Sequence, residues 1–312
     1  MLALLFPGQG SQEVGMGRDA FEASPAAREV FRSADAALGF ALSRICFEGP
    51  EEELRRTEIQ QPALLTTSIA LLRGYEESFG RIPVDFFGGH SLGEYSALVA
   101  AGALAFEDAV RVVSARGRFM QEAVAPGRGA MAAIMGCGPE IVVAACEEVA
   151  AARGEVVAPA NFNSPQQTVI AGEQAAVAAA GELARERGAR RVVALAVSAP
   201  FHCSLMAPAA EKLRPELDRV VFSTPTRPIV GNVEATPNSD TSRIPELLER
   251  QVTAPVRFTE MVECLRSHGV DAFLEVGAGR VLSGLVARID RAARRGNLSA
   301  WSDVAEVRGF LG

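Results

Sequence analysis

The segment Val84-Asp-Phe-Phe-Gly-Gly-His-Ser-Leu-Gly93 runs an apolar strand straight into a Gly-x-Ser-x-Gly turn, and a helical pattern begins just after Ser91. A turn this sharp leaves no room for side chains beside the serine, so positions 89 and 93 require glycine, and the serine is presented where the strand ends. The following helix aims its N-terminal amides at that serine and favours negative charge there. A strand that hands over to a helix in this way is one unit of an α/β sheet.

The rest of the chain repeats the alternation. A first strand is predicted at 2–6, then the glycine-rich turn Pro7-Gly-Gln-Gly-Ser-Gln12 and a helix over 21–38. A helix over 62–79 leads into the strand at 84–87. Beyond Phe201 the pattern predicts a strand at 229–232, helices over 244–251 and 257–268, a strand at 272–276 and a closing helix from 281. This order implies a mostly parallel sheet covered on both faces, with ligands at the carboxyl ends of its strands.

Between these parts the order changes to strand (130–135), helix (139–152), strand (155–160), strand (168–171), helix (173–187) and strand (190–197). That βαββαβ order is the ferredoxin-like signature. The fold expected is therefore α/β: a hydrolase-like, mostly parallel sheet core formed by 1–126 and 199–312, with an inserted ferredoxin-like subdomain at 127–198. A chain of 312 residues suits a main domain carrying a smaller one, because single cores stop growing at roughly 250 to 300 residues.

Several classes are excluded. The N-terminal apolar run is too short, and lacks the basic flank, for a secretory signal, and 97–106 is too short to span a bilayer, which takes ~20 residues. A cytoplasmic protein with no membrane partner is expected. Acidic and basic residues, 38 against 31, are mixed along the chain, so no nucleic-acid surface is expected. The five cysteines form no CxxC pair, which argues against a disulfide framework and a structural zinc site. Lys212 is the only lysine and follows no glycine-rich loop, so a phosphate-binding loop is absent.

An elbow serine needs a base, and three histidines are available. His90 adjoins Ser91 and must point elsewhere in the turn. His268 ends a predicted helix just before Gly269, where imidazole caps the helix dipole. His202 follows the inserted segment in the loop Ser198-Ala-Pro-Phe-His-Cys203 and is the best candidate base. Its neighbour Cys203 lacks an elbow and is read as a core residue.

Six blocks now stand in order: Phe6-Pro-Gly-Gln-Gly-Ser-Gln12, Gly89-His-Ser-Leu-Gly-Glu94, Arg116-Gly-Arg-Phe-Met-Gln121, Asn161-Phe-Asn-Ser-Pro165, Ala199-Pro-Phe-His202 and Glu275-Val-Gly-Ala-Gly279. Together they resemble the malonyl-CoA:acyl carrier protein transacylases, from near the first residue to about position 290. The resemblance implies a ping-pong reaction: Ser91, deprotonated by His202, takes malonyl from coenzyme A and passes it to the phosphopantetheine thiol of an acyl carrier protein. It implies an imidazole oriented by main-chain carbonyls, with Gln251 at the supporting position. The amides of Gln9 and Leu92 become the oxyanion hole.

It also makes Arg116 the two-pronged grip on the malonyl carboxylate, which lysine's point charge supplies less well. By pattern alone Arg116 is one arginine among many. Asn161 and Phe201 fall in the substrate-binding blocks, and Leu92 and Phe201 match the malonyl-selective members. Ala278 departs from the proline usual in its block, which touches loop rigidity and not the chemistry. No cofactor is implied beyond the two substrates, malonyl-CoA and the carrier, and the chain is expected to be a monomer.

Three rivals remain. A serine hydrolase would use the same elbow with water as acceptor, but has no need of a carboxylate clamp. A dinucleotide-binding oxidoreductase would use Gly8-Gln-Gly10 or Gly277-Ala-Gly279, yet Glu13 and Leu282 stand where the third glycine belongs. A carrier-binding scaffold without activity has no use for serine, histidine and arginine together.

Overall fold

The computed structural model describes every residue of 1–312 except Ser198, so the boundary expected at 198 lies outside the described residues. It is an α/β fold with two sheets. The larger has six strands: β1 (Leu2–Phe6), β2 (Phe86–Gly89), β7 (Ile229–Val230), β8 (Pro237–Asn238), β9 (Ala272–Val276) and β10 (Arg294–Leu298). Their order is β10-β9-β1-β2-β7-β8, and every pairing is parallel except β7 with β8. β1 is apolar throughout and wholly buried, as a central parallel strand covered on both faces must be.

The smaller sheet contains β3 (Gly129–Met135), β4 (Val157–Ser164), β5 (Gln167–Glu173) and β6 (Arg191–Ala194), in the order β4-β5-β3-β6, all antiparallel. Strand residues alternate between two faces. Ala132 and Ile134 pack with the helices Pro139–Arg153 and Gln174–Glu186, while Met131 and Ala133 face the larger part and join its core. Backbone bonds tie the two parts: Val256 donates to the Ala160 carbonyl and Phe162 to that of Val256, each at 2.9 Å.

Several elements differ from expectation for local reasons. The helix expected over 21–38 is two, Arg18–Ala23 and Pro25–Leu38, because the Ser24 hydroxyl accepts from the Ala27 amide and Pro25 has no amide to continue the first. The helix expected from 62 begins earlier, spanning Thr57–Phe79 with Pro62 inside it. The carbonyl that Pro62 cannot bond, that of Glu58, accepts from the Ser114 hydroxyl at 3.3 Å. β2 begins at Phe86 instead of 84 and ends, as expected, at the two glycines, and β7 stops at Val230 instead of 232. After the helix Val281–Ile289, which was expected to close the chain, β10 and the helix Val304–Leu311 follow. The helix Phe106–Glu122 was not predicted either.

Parallel register sets the site. Phe6 pairs with Gly89 and Gly88 with Val230, so the carboxyl ends of β1, β2 and β7 are level. Gln9, Ser91 and Asn232 follow those ends within two or three residues and converge at the sheet edge.

Candidate active site

Ser91 sits in the left-handed backbone region, with φ of 51°, on the turn between β2 and the helix Gly93–Ala100. Both glycines are required by close approach. A Cβ on Gly89 would lie 2.1 Å from the Gly93 carbonyl carbon, and one on Gly93 would lie 2.0 Å from the Phe6 oxygen. The turn is clamped by Asn232, whose Oδ1 accepts from the Ser91 amide at 2.6 Å while its Nδ2 donates to the Gly89 carbonyl at 2.6 Å.

The Ser91 Oγ lies 2.8 Å from His202 Nε2. The other ring nitrogen, Nδ1, lies 2.8 Å from the Gln251 main-chain oxygen. Since a carbonyl only accepts, Nδ1 carries the proton and Nε2 is left as the acceptor for the serine hydroxyl. Burial first, and then the neighbouring Arg116 guanidinium, push the His202 pKa down to about 3, so the imidazole is neutral at rest.

Arg116 is fully buried. Gly117 beside it lets its helix approach closely, since a Cβ there would lie 2.4 Å from the Thr57 oxygen. Its Nη1 donates to Gln61 Oε1 at 2.8 Å, and its Nη2 to Gln251 Oε1 at 2.9 Å and to Ser91 Oγ at 3.1 Å. Every one of these partners is neutral. Among the described residues no carboxylate lies within ion-pair distance of this buried cation. Burial of an unpaired guanidinium is costly, and an anionic group beside Ser91 would offset that cost.

Gln251 serves three further neighbours besides Arg116. Its carbonyl holds His202, and its side chain Nε2 donates to the Ser91 oxygen at 3.1 Å and to Glu94 Oε2 at 2.7 Å. The Leu92 and Gln9 amides donate to no other group among the described residues. The Gln9 side chain is held by Gln60 and, at 3.5 Å, by Gln61.

A cleft of about 820 Å³ opens over Ser91 and His202 between the two sheets, with Gln9, Asn161 and Phe201 in its walls. Ser91, His202, Gln251, Gln9, Arg116, Asn161 and Phe201 are thus brought to one place, and Leu92 follows the serine. His90 points away from Ser91, with Nε2 2.8 Å from Asn163 Oδ1. His268 ends the helix Phe258–Ser267, and its Nδ1 lies 2.8 Å from the Cys264 oxygen. Cys203 is buried, its thiol pushed up to about 11 chiefly by burial. Sequence reasoning missed Asn232, Glu94 and Gln61 as parts of the site. Glu94 lay inside a quoted block and Asn232 at the end of a predicted strand, but nothing local marked either as facing Ser91.

An elbow serine bonded to a neutral, carbonyl-held imidazole at the edge of a parallel sheet is the equipment of a serine-dependent acyl-transfer protein. Comparison with known proteins narrows the class. The acyl transferase domain family matches residues 3–295, and the chain belongs to that family. It is 50% identical to the malonyl CoA-acyl carrier protein transacylase of Escherichia coli K12 over 287 residues, covering 92% of each chain. Identity to the Bacillus subtilis protein of the same name is also 50%, over 93% of this chain and 90% of that one. Among solved structures, an acyl carrier protein S-malonyltransferase from Vibrio cholerae has a TM-score of 0.95 at 43% identity, covering 98% and 99%. A malonyl-transacylase in complex with its type II polyketide synthase acyl carrier protein has a TM-score of 0.94 at 45% identity, covering 97% of each.

Proposed function

We propose that this chain is an acyl carrier protein S-malonyltransferase that works through an ester on Ser91. The neutral Nε2 of His202 takes the Oγ proton as Oγ attacks the thioester carbon, and the Gln9 and Leu92 amides receive the oxyanion. The thiolate of coenzyme A leaves with the proton that His202 returns. The carrier's phosphopantetheine thiol then gives its proton to His202, attacks the malonyl ester and restores the serine hydroxyl. The thioester supplies an already activated acyl group, so the chemistry calls for no cofactor.

One observation carries the choice of acyl group: the Arg116 guanidinium stands 3.1 Å from the nucleophilic oxygen with only neutral partners. It is within reach of the carboxylate of a malonyl ester on that oxygen. The same cation disfavours the hydrolase reading, since a simple ester leaves it unpaired. Asn161 and Phe201 shape the pocket wall, and the Gln251 carbonyl keeps His202 in the productive tautomer.

The segment 127–198 is an inserted ferredoxin-like subdomain on the hydrolase-like core of 1–126 and 199–312, a reading supported by its βαββαβ order and its strand order. The carrier docks beside it. Arg190 and Arg191 are exposed and form no ion pair among the described residues, whereas Arg187 is paired with Glu148. Arg191 pairs with Met135, whose other strand neighbour, Gln167, lines the cleft. Among the described residues no helix is long and apolar enough to cross a membrane. The chain is read as a cytoplasmic monomer.

Intact mass measurement after separate incubation with malonyl-CoA, acetyl-CoA and methylmalonyl-CoA tests the proposal. A single malonyl adduct is expected from malonyl-CoA, lost in Ser91→Ala. An adduct that persists on that variant removes Ser91 from the mechanism.

A further inference from the structure

Glu94 is a buried carboxylate that the chemistry above does not use. Its Oε2 accepts both from the Asn232 amide at 2.9 Å and from Gln251 Nε2 at 2.7 Å. Its Oε1 faces Gly231, where an added Cβ would approach to 3.1 Å, and both residues line a cavity of about 20 Å³, the size of one water. Burial raises its pKa, while the Asn232 amide, the Gln251 side chain and, through space, Arg116 act the other way.

Gln251 links the two charges. Its Nε2 meets only acceptors, the Ser91 carbonyl and Glu94 Oε2 among them, so the amide has one orientation and its Oε1 must face Arg116. The two N–H donors on Oε2 favour the carboxylate form of Glu94, so the chain Glu94–Gln251–Arg116 joins an anion to a cation through one polarised amide. Buried charges interact strongly at such range because little solvent separates them.

We infer that Glu94 is a positioning and specificity-tuning residue: a resident counter-charge that, through Gln251, limits how tightly Arg116 holds a carboxylated acyl group. A cation with no balancing charge would hold the malonyl carboxylate as its sole partner and release it slowly. With Glu94 present the grip is selective yet reversible. The inference rests on the reading of Ser91 and Arg116 given above.

Glu94→Gln separates charge from hydrogen bonding, because an amide oxygen in the place of Oε2 can accept from both Asn232 and Gln251. Rapid-quench acylation of Ser91 should show the apparent Kd for malonyl-CoA falling about tenfold, the size expected when a charge pair is altered by roughly one pKa unit. Transfer of malonyl to the carrier thiol should slow by a similar factor. The acetyl-CoA Kd, with no carboxylate to feel the change, should move far less. In an Arg116→Ala background, Glu94→Gln should have no selective effect.

Equal changes for malonyl and acetyl groups, or none, overturn the inference. Should Glu94→Gln alone fail to fold, recovery of the fold in the double variant supports the charge coupling, and failure of both variants assigns Glu94 a structural role and overturns it. A wild-type protein that takes no malonyl adduct overturns the proposed function as well, so the two ideas fail on different measurements.

Discussion

Ser91 and His202 lie 111 residues apart in the chain, yet both hold their backbones in the left-handed region, with φ of 51° and 61°, and their side chains meet at 2.8 Å. Such conformations cost on the order of 1–3 kcal/mol each and persist only where the surroundings over-determine them. For Ser91 the surroundings are identifiable: Asn232 takes its amide and Gln251 its carbonyl.

Asn232→Ala should therefore release the elbow. Its loss leaves the Ser91 amide and the Gly89 carbonyl without their partner, at about 1–3 kcal/mol for each buried group left unsatisfied. Chemical denaturation should report lower stability, and the rate of Ser91 acylation should fall further than that of a surface variant of equal stability. Normal acylation on a destabilised protein would show that the turn holds itself.

The depressed pKa of His202 has a definite sign. Between its ordinary value near 6.5 and about 3 the native imidazole stays neutral, so the acylation rate should show no acid limb at 6.5 and should persist well below it. In that window the unfolded chain binds a proton at this position and the native chain does not, so native stability falls as pH falls. His202→Gln should remove up to about 1.36 kcal/mol per pH unit of that slope. Single-turnover rates and urea midpoints across the window measure both effects.

Arg116→Ala strands the malonyl carboxylate in the buried site. Removing one member of such a pair typically costs ~2 to 5 kcal/mol, which at 1.36 kcal/mol per decade cuts malonyl transfer by roughly one and a half to three and a half orders of magnitude. Acetyl transfer should be equal or improved, and the substrate preference should invert. Parallel kcat/KM values for the two thioesters decide; an equal loss on both would make Arg116 a support of the cleft.

Charge reversal at Arg190 and Arg191 should weaken malonyl transfer to an acidic carrier and flatten its salt dependence, because the chain as a whole is net negative, at −7. Acylation by malonyl-CoA alone, in which no carrier takes part, should be affected less. Transfer rates over a salt series provide the measurement, and an unchanged slope would move the docking surface elsewhere.

What the chain determines by itself is mostly local. Leu2–Phe6, the Gly89-His-Ser-Leu-Gly93 turn and the two helices of the smaller part are written in short-range pattern: continuous apolar runs, glycines where a Cβ has no room, periodicity of two or near four. The two-residue strand β8, the proline inside Thr57–Phe79 and the arginine-rich β10 carry little local signal, because each is set by what packs against it.

The residues that hold the site together were decided by the tertiary structure. Gln251 reaches Ser91 across 160 residues, Asn232 reaches it across 141, and the Glu94–Gln251 bond spans 157. A buried amide or carboxylate looks in sequence like any surface one. Only the level carboxyl ends of parallel strands, which bring distant loops to one edge and exclude water there, turn these side chains into a clamp, a tautomer lock and a counter-charge.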